Sequence, residues 1–168
     1  MKRVAIVGSG GAGKSTLAAE LGRRTGLPVV HLDHHFWHPG WVETPLDEWR
    51  LAQRRLFAAE EWIADGNYSA TLDERLPRAD TVVFVDFPTW RTFPRVLRRT
   101  FGNWGRAVQA DGCPEHLDRT FLLWVLRYRR RSRPQLLRNI AELAPGAQVH
   151  ILTNPKAVRE FLASVTPR

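Results

Sequence analysis

The sequence predicts an α/β domain built on a parallel five-stranded sheet, and three observations predict it. Short β-branched runs alternate with amphipathic helical patterns, the signature of βαβ units. The first run passes directly into a glycine-rich turn that opens a helix. The length of 168 residues suits one domain of the common size.

The elements follow in order. Arg3 to Val7 is a β-branched run ending at Gly8, as expected of a strand buried on both faces. Ser15 to Arg24 carries Leu17, Ala18 and Leu21 on one helical face. A second strand is expected over Leu27 to Asp33, a third over Trp62 to Gly66, a fourth over Thr81 to Asp86 and a fifth over Gln148 to Thr153. Leu46 to Glu60 reads as a helix, with Asp47 and Glu48 suited to the positive end of its dipole. Pro88 opens another that reaches about Phe101, and the glycines and proline of residues 102–114 read as a loop. Two further helices are expected over Arg119 to Arg131 and Pro134 to Leu143, and a last one over Lys156 to Ala163. The arrangement is one domain spanning 1–168, with a lid-like helical insertion at about 100–133 between strands four and five.

Composition narrows the functional classes. A single cysteine, Cys113, excludes an internal disulfide scaffold and points to a reducing, cytoplasmic setting. No apolar run approaches the length of a membrane span, and the short run after Met1-Lys2-Arg3 turns glycine-rich too soon for a signal peptide. The net charge of +8 is unevenly placed. Residues 1–86 hold ten basic and twelve acidic side chains, whereas 87–140 hold twelve arginines against Asp111, Glu115 and Asp118. A near-neutral body therefore carries one basic segment, which is either a solvated face or the partner of an anion.

Gly8-Ser9-Gly10-Gly11-Ala12-Gly13-Lys14-Ser15-Thr16 satisfies two patterns at once. Gly8, Gly10 and Gly13, with Asp33 twenty residues on, make the dinucleotide fingerprint. Gly8 to Ser15 equally makes G-x-x-x-x-G-K-S, the P-loop. Lys14 decides for the P-loop: a chain with 22 arginines and three lysines uses the compact ammonium here, where a planar guanidinium would not fit inside the loop. A dehydrogenase would also need a substrate domain for which little chain remains. The loop is expected to cradle ATP phosphates, with Lys14 on the transferred group and Ser15 on Mg²⁺.

Three of the other strands end in aspartate on the edge that carries the loop. Asp65 is the candidate Mg²⁺ residue with Ser15, and Asp33 the candidate base or orienting group for an acceptor hydroxyl; each could instead cap a strand, as Asp86 is expected to. His31, His34, His35 and His38 lack the regular spacing of a metal centre. With Phe36, Trp37 and Trp41 they fit an acceptor pocket better. Arg95 and Arg99, at i, i+4 spacing, and Arg127 and Arg130 beyond the loop are candidate lid arginines that would stabilise phosphoryl charge in the transition state.

The glycine loop, His31-Leu32-Asp33 with Phe36-Trp37 and Pro39-Gly40-Trp41, Trp62 to Tyr68, Arg75-Leu76 with Ala79 to Asp86, and Phe121 to Arg133 resemble the adenylate kinase-like proteins known as DNA topology modulation proteins. The resemblance spans nearly the whole chain. It implies a P-loop kinase fold with strand order 2-3-1-4-5 and a lid, and adenine-side contacts from Asn154 and Pro155. Adenylate kinases carry a Pro-Arg pair after their third strand that grips the acceptor phosphate. Here Asn67-Tyr68 stands in that context, leaving Arg75 as the substitute or else an uncharged acceptor. The expected function is transfer of the ATP γ-phosphate to a small acceptor, a nucleotide or nucleoside. The alternatives are a nucleic-acid-associated regulatory NTPase, which the family name implies, and a hydrolase without an acceptor.

Overall fold

The computed structural model describes residues 1–166. Its elements are β1 (Arg3–Gly8), α1 (Lys14–Thr25), β2 (Val29–His31), α2 (Leu32–Phe36), β3 (Trp37–His38), β4 (Val42–Glu43), α3 (Leu46–Leu56) and β5 (Trp62–Asp65). Two 3₁₀ turns (Ser69–Glu74 and Leu76–Arg78) then lead to β6 (Thr81–Val85), α4 (Thr89–Gly102), α5 (Arg119–Leu143), β7 (Gln148–Leu152) and α6 (Pro155–Ser164). The main sheet has the order β2-β5-β1-β6-β7 with every pair parallel. This is the expected 2-3-1-4-5 once the added hairpin β3–β4 is set apart.

Successive residues of a strand face opposite sides, so a strand between two helical layers is apolar throughout. In β1, Ala5 and Val7 enter one core with Trp49, Phe57, Tyr128 and Ile140, while Val4 and Ile6 enter the other with Leu17, Leu21 and Phe161. The parallel arrangement brings the loops after β1, β2, β5, β6 and β7 to one edge, with β1 central.

The sequence reading differs from the structure in four places. The second strand is only Val29–His31, so Asp33 stands in the first turn of α2 rather than at a strand end. The helix from Leu46 closes at Leu56, four residues short of Glu60. Residues 37–43, read as loop, form the hairpin β3–β4, whose turn needs Gly40 at φ +81° and Trp41 at φ +63°. The two expected helices over 119–143 are one, with Pro134 inside it. An internal proline costs about 3 kcal/mol. Burial of Val125, Tyr128, Leu136 and Ile140 along one stripe outweighs it, and Arg129 and Arg133 pin the helix to Asp86. Arg133 reaches the buried Asp86 at 2.8 Å, so that carboxylate anchors a helix instead of facing a ligand. Among the described residues, no helix is long and apolar enough to cross a membrane.

Candidate active site

The glycine loop curves as it does because two of its positions accept nothing larger. Gly8 has φ +147°, and a Cβ there would sit 2.4 Å from the Val85 carbonyl oxygen of β6. Gly11 has φ +72°, and its Cβ would meet the Thr92 carbonyl of α4 at the same distance. With Gly13 as an N-cap that offers no side chain, the first amides of α1 are left for an anion. Lys14 folds back over the loop, its Nζ donating to the Ser9 carbonyl at 3.1 Å. Burial lowers the pKa of this ammonium, against the opposing charges of Asp65 and Asp33.

Gly10 to Thr16 floor a cavity of about 1200 Å³. Single small-molecule sites run to roughly 300–1,000 Å³, so this one has room for two small ligands together. Gly8 and Ser9, predicted with the rest of the loop, lie beneath that floor, because they carry the buried strand into the turn.

Asp65 lines the cavity at the end of β5 and is only 5% exposed. Burial would raise its pKa, but the His31 hydrogen bond, the Lys14 charge and the neighbouring Ser15 hydroxyl outweigh that and hold it low. His31 Nδ1 lies 2.9 Å from Oδ2, while the buried Oδ1 has no partner. An orphaned carboxylate oxygen beside a serine hydroxyl and next to the phosphate loop fits a divalent cation, as the sequence predicts for Ser15 and Asp65. Among the described residues, no group of three His, Cys, Asp or Glu side chains is placed to hold a metal, the histidines of residues 31–38 included.

Asp33 also lines the cavity, and the Tyr68 hydroxyl donates to its Oδ1 at 2.5 Å. Tyr68 holds a left-handed backbone, φ +40°, which costs a side chain about 1–3 kcal/mol and places the phenol over the carboxylate. Burial first, and then the Asp33 charge, push the phenol pKa well above its ordinary value, so the hydroxyl remains a donor. Asn67, predicted to touch an acceptor, has a second task that the sequence did not signal. Its Oδ1 accepts from the Gly8 amide at 2.8 Å and its Nδ2 donates to the Gly8 carbonyl at 2.6 Å, tying the β5 turn to the phosphate loop.

Arg75 is a correction. It is fully buried, donates to the carbonyls of Gly66 and Asn67 and to Gln53 Oε1, and lies outside the lining of this cavity. Burial without a carboxylate partner pulls its pKa down to about 9, still high enough to stay charged, so it props up the 66–68 turn from behind. Phe36 is another: it packs behind the cavity against Trp37, Trp49 and Tyr68, while Trp37 and Trp41 face in.

The lid arginines divide. Arg95 and Arg99 of α4 line the cavity, and Arg99 pairs with the buried Glu115 at 3.4 Å. Arg127 and Arg130 do not. The first turns of α5 turn Phe121, Leu122 and Trp124 inward, which leaves Arg127 and Arg130 on its solvent face. What covers the cavity is the segment between α4 and α5, which contributes Gln109, Glu115, His116 and Asp118. It docks on the hairpin: the Trp41 indole N–H donates to the Pro114 carbonyl at 2.8 Å and the Gly40 amide to Gly112 at 2.9 Å. Nothing local marks these lid residues in the sequence. At the opposite end Pro155 lines the cavity, Asn154 caps α6 through its side chain, and Arg159, one helical turn on, joins the lining unannounced.

The sheet order, the P-loop after the central strand and the covering segment after the fourth make an arrangement shared with other solved structures. Similar solved structures include a shikimate kinase from Acinetobacter baumannii in complex with shikimate, with a TM-score of 0.63 at 18% identity, covering 97% of this chain and 89% of that one. A sugar kinase from Janibacter sp. HTCC2649 has a TM-score of 0.54 at 19% identity, covering 97% and 93%. A gluconokinase from Sinorhizobium meliloti 1021 has 0.54 at 16%, covering 96% and 90%. At these identities the likeness is one of fold. No family model matches the chain. The chain belongs to the family of the uncharacterized protein YqaC of Bacillus subtilis (strain 168), to which it is 33% identical over 132 residues, 76% of this chain and 72% of that protein.

Proposed function

We propose that this protein is an ATP-dependent small-molecule kinase, transferring the γ-phosphoryl group of ATP to a hydroxyl on a small acceptor. The observation that carries the reading is one cavity with a P-loop floor, Lys14 at its centre and Asp33 free to face a second ligand. The residues fit Mg²⁺: Ser15 and Asp65 would hold it, and when bound it neutralises charge on the phosphate oxygens. Lys14 grips the transferred group, and Arg95 and Arg99 spread its developing charge. Asp33, oriented by Tyr68, takes the acceptor proton as its oxygen attacks phosphorus and the bond to the β–γ bridging oxygen breaks. ADP and the phosphorylated acceptor leave. The single domain carries the covering segment, within about 100–133, as its lid, and Pro155 with Arg159 flanks the adenine side. A nucleotide or nucleoside is the acceptor that the adenylate kinase-like motifs favour, and the similar kinases named above act on sugars, gluconate or shikimate by their descriptions.

Isothermal titration of Mg-ATP tests the reading. Wild type binds, Lys14→Ala loses binding or at least about 10³-fold in turnover, and equal tight binding by both overturns it. A second reading, a nucleic-acid-associated regulatory NTPase, draws on Arg127, Arg130 and Arg131, all exposed on α5. It requires DNA affinity that falls steeply with salt, and no binding at low salt removes it.

A further inference from the structure

The arginines that line the cavity all enter from one side. The sheet order places the loops after β6 and β7 on one side of the phosphate loop and those after β5 and β2 on the other. The lining cations Arg95, Arg99 and Arg159 come from α4 and α6, which follow β6 and β7. On the β2 side the lining includes Asp33, Trp37, Trp41, Glu43, Asp65, Asn67 and Tyr68, and the covering segment sets His116 against Trp41 with ring centres 5.9 Å apart. Among these described lining residues there is no arginine or lysine; the carboxylates are Asp33, Glu43 and Asp65, and Asp65 is already paired with His31. The arginine that the sequence offers to an acceptor anion, Arg75, is sealed behind the 66–68 turn and spends its donors on backbone carbonyls and Gln53.

The aromatic rings at this end are set as walls. Trp37 and Glu43 are a cross-strand pair of the hairpin, so their side chains rise from the same face. Trp41 stands nearly perpendicular to Trp37, with ring centres 5.4 Å apart and planes at 76°. Its backbone holds a left-handed φ of +63°, and its indole N–H is anchored on Pro114. A strained, tethered tryptophan forming a corner with a second one is a costly arrangement that persists where the surroundings over-determine it, as at ligand clamps. Two indole faces beside two carboxylates attract a positive charge and repel a phosphate or carboxylate.

Resting on the kinase reading above, we propose that the acceptor is a hydroxyl compound that carries a protonated amine, an amino alcohol or amino sugar in chemical class. Asp33 meets the reacting hydroxyl, while Glu43 with Trp37 and Trp41 holds the ammonium. An anionic acceptor such as a nucleotide or a sugar acid finds no arginine or lysine among the described residues at this end.

The test is a matched panel titrated into the protein with a saturating, non-hydrolysable Mg-ATP analogue: glucosamine, glucose and gluconate. Glucosamine binds at least about tenfold more tightly than glucose, and gluconate most weakly. Glu43→Gln removes most of the amine preference, and Glu43→Lys reverses the order toward gluconate. Equal affinity across the panel, a lead for glucose or gluconate, or an order that Glu43→Lys leaves untouched overturns the proposal. The kinase reading is judged separately, because loss of Mg-ATP binding in wild type sinks that reading while a disordered panel with intact Mg-ATP binding sinks only this one.

Discussion

The two halves of the cavity are made of different material. The phosphate-loop half, proposed as the donor half, rests on a continuous run of nine residues whose backbone is shaped by glycines and leads into the N-terminus of α1. The other half, proposed as the acceptor half, is made of side chains brought from α2, the hairpin, the β5 turn and the covering segment, with partners as distant as Trp41 and Pro114. A run of backbone amides tolerates no change of curvature. A side-chain assembly, by contrast, loses function piece by piece.

Breaking the donor half therefore has the larger effect. Gly8→Ala drives a methyl into the Val85 carbonyl and strains φ, and should cost about 3–5 kcal/mol in denaturant unfolding. A cost below about 1 kcal/mol would show that the loop can shift, and the contrast would lose its basis. The join between the halves comes next. Asn67→Ala frees both polar groups of Gly8 and should lose about 2 kcal/mol of stability, together with about tenfold in Mg-ATP affinity; unchanged affinity would mean that the clamp holds the fold alone.

Within the acceptor half, Tyr68→Phe keeps the ring and removes the hydrogen bond to Asp33. Turnover should fall about tenfold with Mg-ATP affinity intact, and an unchanged turnover would remove Tyr68 from the positioning of Asp33. The smallest effect belongs to the His31–Asp65 pair. The Asp65 hydrogen bond raises the His31 pKa, a contribution fully present below 6.5 and lost as pH climbs through the raised value. The lowered pKa of Asp65 contributes above 3.8 and is lost as pH falls through the lowered value. The pair therefore stabilises most between those limits. With His31 a third exposed, screening keeps the effect below about 1 kcal/mol. His31→Gln should lower the melting temperature at about pH 5 and leave it nearly unchanged at about pH 9; an equal drop at both would assign the loss to packing.

Much of the fold was legible because it is local. Each strand of the main sheet announced itself as a short apolar run, and the strand-turn-helix of the P-loop is contiguous, so its residues needed no partners to be recognised. Asp33, Asp65, Trp37, Trp41 and Tyr68 were legible as strand-end or loop residues, and the structure brings them to one cavity. The failures share a cause. Arg75, Arg127 and Arg130 looked alike as arginines in a basic chain, but burial under a turn and the phase of a long helix separated them from Arg95 and Arg99. The break expected before Pro134 followed a local cost that tertiary packing overrode.

By itself the sequence determined the α/β class, the phosphate loop and the lysine in it, since these depend on periodicity and on backbone freedom within a few residues. Only the tertiary structure decided which charges share a cavity. Glu43 from the hairpin, Glu115 and His116 from the covering segment and Arg159 from α6 reach it together, and Arg75 is withheld from it, because burial and side-chain direction are set by elements far apart in the chain.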